Sequence, residues 1–127
     1  MIRPKSSGRR PRAASLLLAV ALCSAGCASR LGASEAEALI AALALTPGSR
    51  AADVGAGNGR WSEVLAEAIG DSGHLWATEV EQDKVDRIER RLEGAGFDNF
   101  TTALGTQTDL GLPEDCCDAI LLRLVYH

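Results

Sequence analysis

A glycine-rich turn directly after a short apolar segment constrains the fold of this chain more than any other feature. Residues 50–54 predict a β-strand, glycines follow at positions 55, 57 and 59, and a helical pattern begins there. Glycine lets the backbone adopt positive φ and lets a ligand approach without meeting a side chain. A helix that opens after such a turn offers free N–H groups to a polar or anionic ligand. The segment therefore predicts a strand–turn–helix unit that holds a nucleotide-like ligand.

Strands and helices alternate along the rest of the chain. Apolar spacing predicts helices over 34–45, 59–69 and 81–93, and strands over 50–54, 74–80, 97–104 and 118–125. This alternation predicts an α/β fold in which right-handed crossovers join parallel strands. The last segment is almost continuously apolar, which is typical of a central strand buried on both faces. The charged helix reads as a solvated face, and Trp61 reads as a packing aromatic.

The charge distribution divides the chain into a basic head and an acidic body. Residues 28–127 contain all 17 acidic residues but only 8 of the 13 basic residues, and the first acid is Glu35. An acidic body argues against broad binding to nucleic-acid phosphates, so no nucleic-acid partner is expected. The length of 127 residues allows one domain at most.

The first 27 residues have the composition of an export signal. Basic residues in the first twelve positions precede an apolar run, 13–25, that is too short to span a bilayer comfortably. Small residues at 24–26 then precede Cys27, and this order resembles a bacterial lipoprotein signal, in which the cysteine is lipidated. That family usually has leucine where this chain has Ser24. The alternatives are a twin-arginine signal at residues 9–10, an uncleaved membrane anchor, or a misassigned start codon upstream of a cytoplasmic protein.

We therefore expect residues 1–27 to be a signal peptide, with lipidation at Cys27 and membrane attachment in the cell envelope. Residues 28–127 then form the folded body. Its two cysteines, Cys116 and Cys117, are adjacent, a spacing that rarely gives a good disulfide and does not fit a zinc site. The sequence predicts packed or partly exposed thiols at these positions and no metal site.

Acidic residues and turns recur at the predicted carboxyl ends of the strands. Asp53 precedes the glycine turn, Glu79 lies at the end of the second strand, and Gly105-Thr106 follow the third. The glycine spacing is G-x-G-x-G, whereas dinucleotide-binding enzymes have G-x-G-x-x-G. Together with Leu112-Pro113 and residues 118–127, these motifs resemble the class I S-adenosylmethionine-dependent methyltransferases over about residues 43–127.

The resemblance implies a Rossmann-like doubly wound parallel sheet and S-adenosyl-L-methionine as the cofactor. About four strands with flanking helices are present in residues 28–127, whereas a doubly wound sheet normally has five or more strands. We therefore expect the N-terminal part of a methyltransferase domain, truncated at its C-terminus and inactive by itself.

The family's cofactor contacts can be placed on this chain position by position. The resemblance implies that Asp53 stands near the amino group of the methionine part and that Glu79 holds the ribose hydroxyls. Val80 would pack on the adenine. The backbone of the glycine turn would pass close to the cofactor, which assigns Gly55, Ala56, Gly57, Asn58 and Gly59.

Adenine recognition departs from the family's pattern. The family usually has an acid straight after the glycine that follows the third strand, where this chain has Thr106, then Gln107 and, further on, Asp109. Thr106 and Asp109 are the candidate contacts there, although Asp109 also fits an ordinary turn. The resemblance places Arg123 at the methionine end of the cofactor.

No catalytic residue is predicted, because the cofactor carries the electrophile and the protein mainly positions it. A general base is needed only if the acceptor must lose a proton, and Tyr126 and His127 are assigned no such role. The acceptor is expected to be a small molecule or a protein. The alternatives are a nicotinamide-dependent oxidoreductase on a similar sheet, and a non-catalytic envelope-anchored protein with a methyltransferase-like fold.

Overall fold

The computed structural model of the protein describes residues 30–122, which form one parallel sheet with helices packed against it. The elements are α1 (Arg30–Ala42), β1 (Arg50–Val54), α2 (Arg60–Ile69), β2 (His74–Glu79), α3 (Gln82–Gly94), β3 (Phe100–Leu104) and β4 (Ala119–Leu122). The four strands are parallel and lie in the order β3-β2-β1-β4. The predicted α/β class with a parallel sheet is confirmed.

The core lies between one face of the sheet and the helices. Each strand contributes alternate residues to that face, as the period of two requires. Buried core members are Ala51, Leu75, Ala77 and Leu121 from the strands, Leu65, Ala66 and Ile69 from α2, and Ile88 and Leu92 from α3. The spacing of three and four in each helix makes this apolar stripe, so the sequence periodicity directly produces the helix–sheet layer.

The third strand begins three residues later than predicted because the end of α3 uses the intervening segment. The N–H of Phe97 donates to the carbonyl of Leu92, and the N–H of Gly96 donates to the carbonyl of Glu93. This pair of bonds is a Schellman cap, and Gly96 has the left-handed φ of 88° that the cap requires.

α1 also differs from its prediction: it extends from Arg30 to Ala42, and Ala44 has a positive φ of 51°.

The expectation for the fourth strand is wrong within residues 30–122. β4 pairs with β1 alone and lies at the edge of the described sheet. Leu121 faces the core, whereas Ile120 and Leu122 on the opposite face are 43% and 61% exposed. An apolar run does not show whether a strand is central, because that depends on which elements cover it.

The side of the sheet on which successive strands are added changes at β1. β2 and β3 are added on one side of β1, and the connection from β3 then returns to place β4 on its other side. In open α/β sheets, ligands bind at the carboxyl ends of the strands near such a switch point. Asp53, Glu79 and Leu104 lie at this edge. None of the helices within residues 30–122 has the length and apolar character needed to cross a membrane.

Candidate functional site

A cavity of about 660 Å³ opens at the carboxyl edge of the sheet. It is bordered by the glycine turn, the ends of β2 and β3, and the first turns of α2 and α3. Of the predicted site residues, the structure brings together Asp53, Gly55, Ala56, Gly57, Asn58, Glu79, Val80 and Thr106 along its wall. A second cavity of about 620 Å³ lies between α3 and β3 and contains none of them.

The glycine turn is tied to the neighbouring strand by main-chain hydrogen bonds. The N–H groups of Gly55 and Ala56 both donate to the carbonyl oxygen of Thr78 in β2, at 2.9 and 3.1 Å. Gly57 has a φ of 61°, and a Cβ placed on it would meet nothing within 4 Å. Glycine at this position is therefore required by the backbone conformation and leaves open space on the cavity side.

The third glycine has a different purpose from the first two. Gly59 is buried, does not line the cavity and precedes α2 with a φ of 76°. A Cβ there would lie 3.3 Å from Cδ of Arg91 and 3.4 Å from Cα of Ile88. The residue thus allows the start of α2 to pack closely on α3, and it supports the turn rather than lining the cavity.

Glu79 is buried at the end of β2, and its carboxylate is oriented by two main-chain donors. Oε1 accepts from the N–H of Gly57 at 3.0 Å, and Oε2 accepts from the N–H of Val80 at 2.9 Å. Each carboxylate oxygen has two lone-pair sites, so both oxygens keep the capacity to accept another bond. A fixed carboxylate on the cavity wall can therefore bind a ligand with hydroxyl groups.

Asp53 is the second buried acid of the cavity. Its Oδ2 accepts a 2.7 Å hydrogen bond from Oγ of Ser62, a fully buried residue on α2. Burial raises the pKa of Asp53 above its ordinary value of 3.8, the Ser62 bond opposes this, and the charge of Glu79 raises the pKa further. The two acids give this wall a negative potential when both are ionised, which favours a cationic ligand group.

A second turn borders the cavity after β3. It is attached to β2 through the N–H of Gly105, which donates to the carbonyl of Glu79 at 2.8 Å. Asp109 does not line the cavity: its Oδ1 accepts from the N–H of Gly111 at 2.9 Å, as in an ordinary Asx turn. Of the two candidates in this turn, the structure places Thr106 at the cavity and Asp109 away from it.

The cavity also contains side chains that the sequence pattern assigned elsewhere. Trp61 on α2 and Lys84 on α3 both line it, as do Gln107 and Leu110 of the second turn. Nζ of Lys84 lies 2.7 Å from Oε1 of Glu81, and this bond, with the charge of Glu79, raises the pKa of Lys84. Helical periodicity assigned Trp61 to packing and Lys84 to solvent. Their positions could have indicated the cavity. Trp61 lies in the first turn of the helix that follows the glycine turn, and Lys84 lies in the first turn of the helix that follows Glu79.

Several predicted residues lie outside the described part of the chain. Arg123, Tyr126 and His127 follow residue 122, and the predicted signal peptide with Cys27 precedes residue 30. Within the described residues, no group of three His, Cys, Asp or Glu side chains could hold a metal ion.

The opposite end of the sheet contains the two adjacent cysteines. The structure joins Cys116 and Cys117 in a disulfide, so the prediction of two thiols is wrong. Their Cα atoms are 3.7 Å apart, as a shared peptide bond dictates, which is shorter than in most disulfides. Next to the pair, the side chain of Asp118 accepts bonds from the backbone N–H and the guanidinium of Arg50, at 2.8 and 3.0 Å.

Comparison with known proteins identifies the family. Residues 51–127 match the methyltransferase domain family. A protein-L-isoaspartate O-methyltransferase of Methanothrix thermoacetophila is 38% identical over 57% of this chain and 34% of its own length. A demethylmenaquinone methyltransferase of Anoxybacillus flavithermus is 28% identical over 59% of this chain and 32% of its own.

The fold has a counterpart among solved structures. A SAM-dependent methyltransferase from Aquifex aeolicus superposes with a TM-score of 0.63 at 23% identity, over 68% of this chain and 46% of that one. The chain spans about a third of the length of the curated relatives it matches. Since the family match covers more than half of the chain, the chain belongs to the methyltransferase domain family.

Proposed function

We propose that the cavity at the carboxyl edge of the sheet binds S-adenosyl-L-methionine, and that the chain provides the cofactor-binding part of a methyltransferase. The observation that carries this proposal is the buried carboxylate of Glu79, held by two main-chain N–H groups beside the glycine turn. The family match and the S-adenosylmethionine-dependent enzyme with the same fold support this cofactor.

In this proposal each wall of the cavity binds a different part of the cofactor. Glu79 accepts hydrogen bonds from the two ribose hydroxyls, since its oxygens retain acceptor capacity. Asp53 lies near the methionine amino group, and the negative potential of the two acids suits the cationic amino and sulfonium groups. The glycine turn contributes main-chain groups, Val80 contributes an apolar surface, and Thr106 borders the base.

The chemistry follows from the bound cofactor and from positioning. S-adenosyl-L-methionine, when bound, supplies a methyl group on a positively charged sulfur that is already electrophilic. The chain's residues hold that group in a fixed direction toward the acceptor, and orientation is the main source of acceleration in such a transfer. The proposal assigns no proton transfer to any described residue.

The acceptor belongs, in our proposal, to small molecules or proteins rather than nucleic acids. One of the relatives is named for protein L-isoaspartate and another for demethylmenaquinone, so the related sequences include both classes. The acidic body of the chain supports the exclusion of nucleic acid. Because the chain spans about a third of those relatives, the test of the proposal is cofactor binding and not turnover.

Calorimetric titration with S-adenosylhomocysteine tests the proposal. We expect Glu79→Ala and Asp53→Ala each to weaken binding at least tenfold, because each removes a charge-assisted contact worth roughly 1.5–3 kcal/mol. Glu67→Ala is the matched control, since Glu67 is exposed on α2 and does not line the cavity. Unchanged affinity in both test variants would refute the assignment. Tighter binding of NAD than of S-adenosylhomocysteine would favour the oxidoreductase alternative.

We also propose that residues 1–27 direct the protein to the cell envelope and that Cys27 is lipidated. The support is the order of basic residues, apolar run, small residues and cysteine. Fractionation of cells that produce the wild type and Cys27→Ser tests this. Membrane recovery of the wild type alone is the expected result, and cytosolic recovery of both without lipid on Cys27 would contradict it. Envelope location without cofactor binding would favour the non-catalytic alternative.

A further inference from the structure

We infer that Gln107 recognises the adenine of the cofactor, in an apolar part of the cavity formed by Val80 and Leu110. This inference rests on the proposed function and adds a specificity-determining residue to it. It replaces Asp109, which the structure places outside the cavity, as the polar partner of the base.

The apolar part of the cavity is formed by two exposed large side chains. Val80, directly after β2, is 57% exposed, and Leu110, in the turn after β3, is 46% exposed. Both line the same cavity as the carboxylate of Glu79, and the N–H of Val80 donates to that carboxylate. Large apolar side chains that remain exposed in a concave site provide surface for an apolar or aromatic ligand group. A sugar bound at Glu79 would therefore carry its base toward Val80 and Leu110.

Of the polar side chains that the turn after β3 and residues 81–84 contribute to the cavity, all but one are already engaged. Oγ1 of Thr106 accepts from the N–H groups of Asp109 and Thr108, at 2.9 and 3.3 Å. Glu81 and Lys84 form an ion pair with each other. Gln107 lines the cavity, and its amide forms no hydrogen bond within residues 30–122. It is the side chain there whose donor and acceptor are both available.

The chemistry of a primary amide matches the edge of adenine. A glutamine side chain offers a carbonyl oxygen as acceptor and an NH₂ group as donor, side by side. Adenine presents an amino donor beside a ring-nitrogen acceptor, and glutamine pairs with such an edge through two hydrogen bonds. Thr106, with one hydroxyl already accepting two bonds, cannot match both groups. The amide of Gln107 therefore supplies base recognition, while Val80 and Leu110 supply apolar contact.

The test compares two ligands on the full 127-residue chain by calorimetry. One is S-adenosylhomocysteine, and the other is its purine analogue, which lacks the 6-amino group. Losing one hydrogen bond should make wild type bind the analogue about fivefold more weakly. Gln107→Leu should bind S-adenosylhomocysteine about tenfold more weakly than wild type and should no longer distinguish the two ligands. Gln82→Leu is the matched control, because Gln82 is exposed on α3 and its Nε2 donates to Asp86 at 2.7 Å.

The possible results separate this inference from the proposed function. If Gln107→Leu binds S-adenosylhomocysteine as wild type does, or if it keeps the wild-type preference between the ligands, Gln107 does not recognise the base. The proposed function would stand in that case, provided that Glu79→Ala still weakens binding. If wild type binds neither ligand, both proposals fail. Gln107 is exposed, so the ligand preference of a folded variant can be measured, and the wild-type preference needs no variant.

Discussion

Two turns border the same cavity, and they are built on different principles. The glycine turn, residues 55–59, is held by main-chain bonds to Thr78 and contributes mainly backbone to the cavity wall. The second turn, residues 105–111, is held largely by side-chain oxygens of Thr106 and Asp109 and presents Gln107 and Leu110 to the cavity. The first turn is therefore suited to bind what every such cofactor shares, and the second to distinguish one base from another.

Burial follows the same division. The glycine turn contains buried residues. It is stabilised by the hydrogen bond between Asp53 and Ser62 and by the packing of α2 on α3. Residues 106–110 of the second turn are all exposed. Changes in the first turn and its support should reduce both stability and binding, whereas changes in the second should reduce binding with little loss of stability.

The largest effect on binding is expected from Gly57→Val. A β-branched residue at a φ of 61° adds backbone strain of roughly 1–3 kcal/mol, and its side chain would enter the open space beside Glu79. We expect the affinity for S-adenosylhomocysteine to fall by about a hundredfold or more, because the valine side chain obstructs the cavity, whereas the strain lowers stability and not affinity. Calorimetry measures the affinity, and thermal unfolding measures the strain.

Gly96→Val separates obstruction from strain. Gly96 has a φ of 88°, and a Cβ there would also meet nothing within 4 Å, but the residue lies after α3, outside the cofactor cavity. It should lower the thermal midpoint to a similar extent and leave the affinity unchanged. Equal losses of affinity in both variants would mean that strain alone, and not access to the glycine turn, limits binding.

The support of the first turn is tested by Ser62→Ala. The variant removes the fully buried hydroxyl that donates to Asp53, and losing a hydrogen bond to a charged group costs roughly 1.5–3 kcal/mol. Urea unfolding followed by circular dichroism should show this loss at pH values where Asp53 is ionised. Ser72→Ala, at an exposed position, should change the free energy of unfolding by less than about 0.5 kcal/mol. Equal stability of the two variants would show that the Asp53–Ser62 bond does not stabilise the turn.

Asp53→Asn tests whether the buried acid is held at the expense of stability. Burial raises the pKa of Asp53 above 3.8, so the unfolded state ionises first as the pH rises. The wild type therefore loses stability from about pH 3.8 up through the folded-state pKa, whereas asparagine does not titrate. We expect the variant to become more stable relative to wild type over that interval, and to bind S-adenosylhomocysteine more weakly.

Asp118→Asn should show the opposite sign. The backbone N–H of Arg50, and then its guanidinium, lower the pKa of Asp118 below 3.8. The wild type gains stability from this group as the pH rises through the folded-state pKa toward 3.8, so the variant should lose stability relative to wild type there. Urea unfolding between pH 3 and pH 7 measures both differences. If the difference in the free energy of unfolding between wild type and Asp53→Asn does not change with pH, burial does not raise the pKa of Asp53.

The features predicted correctly from the sequence are those with local causes. The bounds of β1, 50–54, are as predicted, because a short apolar run before a glycine turn admits few other conformations. The cavity positions of Asp53 and Glu79 follow from their places at the ends of β1 and β2. Parallel strands bring such ends together at one edge, so motif spacing and topology were enough.

The features that were missed depend on contacts distant in sequence. The exposed face of β4 depends on which elements cover that strand, which no periodicity reveals. Trp61 and Lys84 have helical spacing that fits packing and solvent equally well, and they reach the cavity only because the first turns of α2 and α3 border it. Gln107 and Asp109 are two residues apart in one exposed turn, and its hydrogen bonds decide which of them lines the cavity.

The smallest effect on stability is expected from Thr106→Val, which probes the internal support of the second turn. Valine keeps the shape of threonine but removes the oxygen that accepts from the N–H groups of Thr108 and Asp109. Those N–H groups are in an exposed turn and can bond to water, so the free energy of unfolding should fall by less than about 1 kcal/mol. The affinity for S-adenosylhomocysteine should nevertheless fall about threefold, because Gln107 and Leu110 lose their fixed presentation.

Thr108→Val is the control in the same turn, since its hydroxyl makes only a 3.5 Å contact with Thr106. It should change neither quantity measurably in parallel calorimetry and urea unfolding. If Thr106→Val instead destabilises the protein as much as Ser62→Ala, the second turn is as much a part of the folded core as the first. The second turn would then stabilise the fold as the glycine turn does, and the two turns would not have separate roles. A loss of affinity without a loss of stability would confirm that the two turns contribute separately, because only the buried support of the glycine turn couples binding to folding.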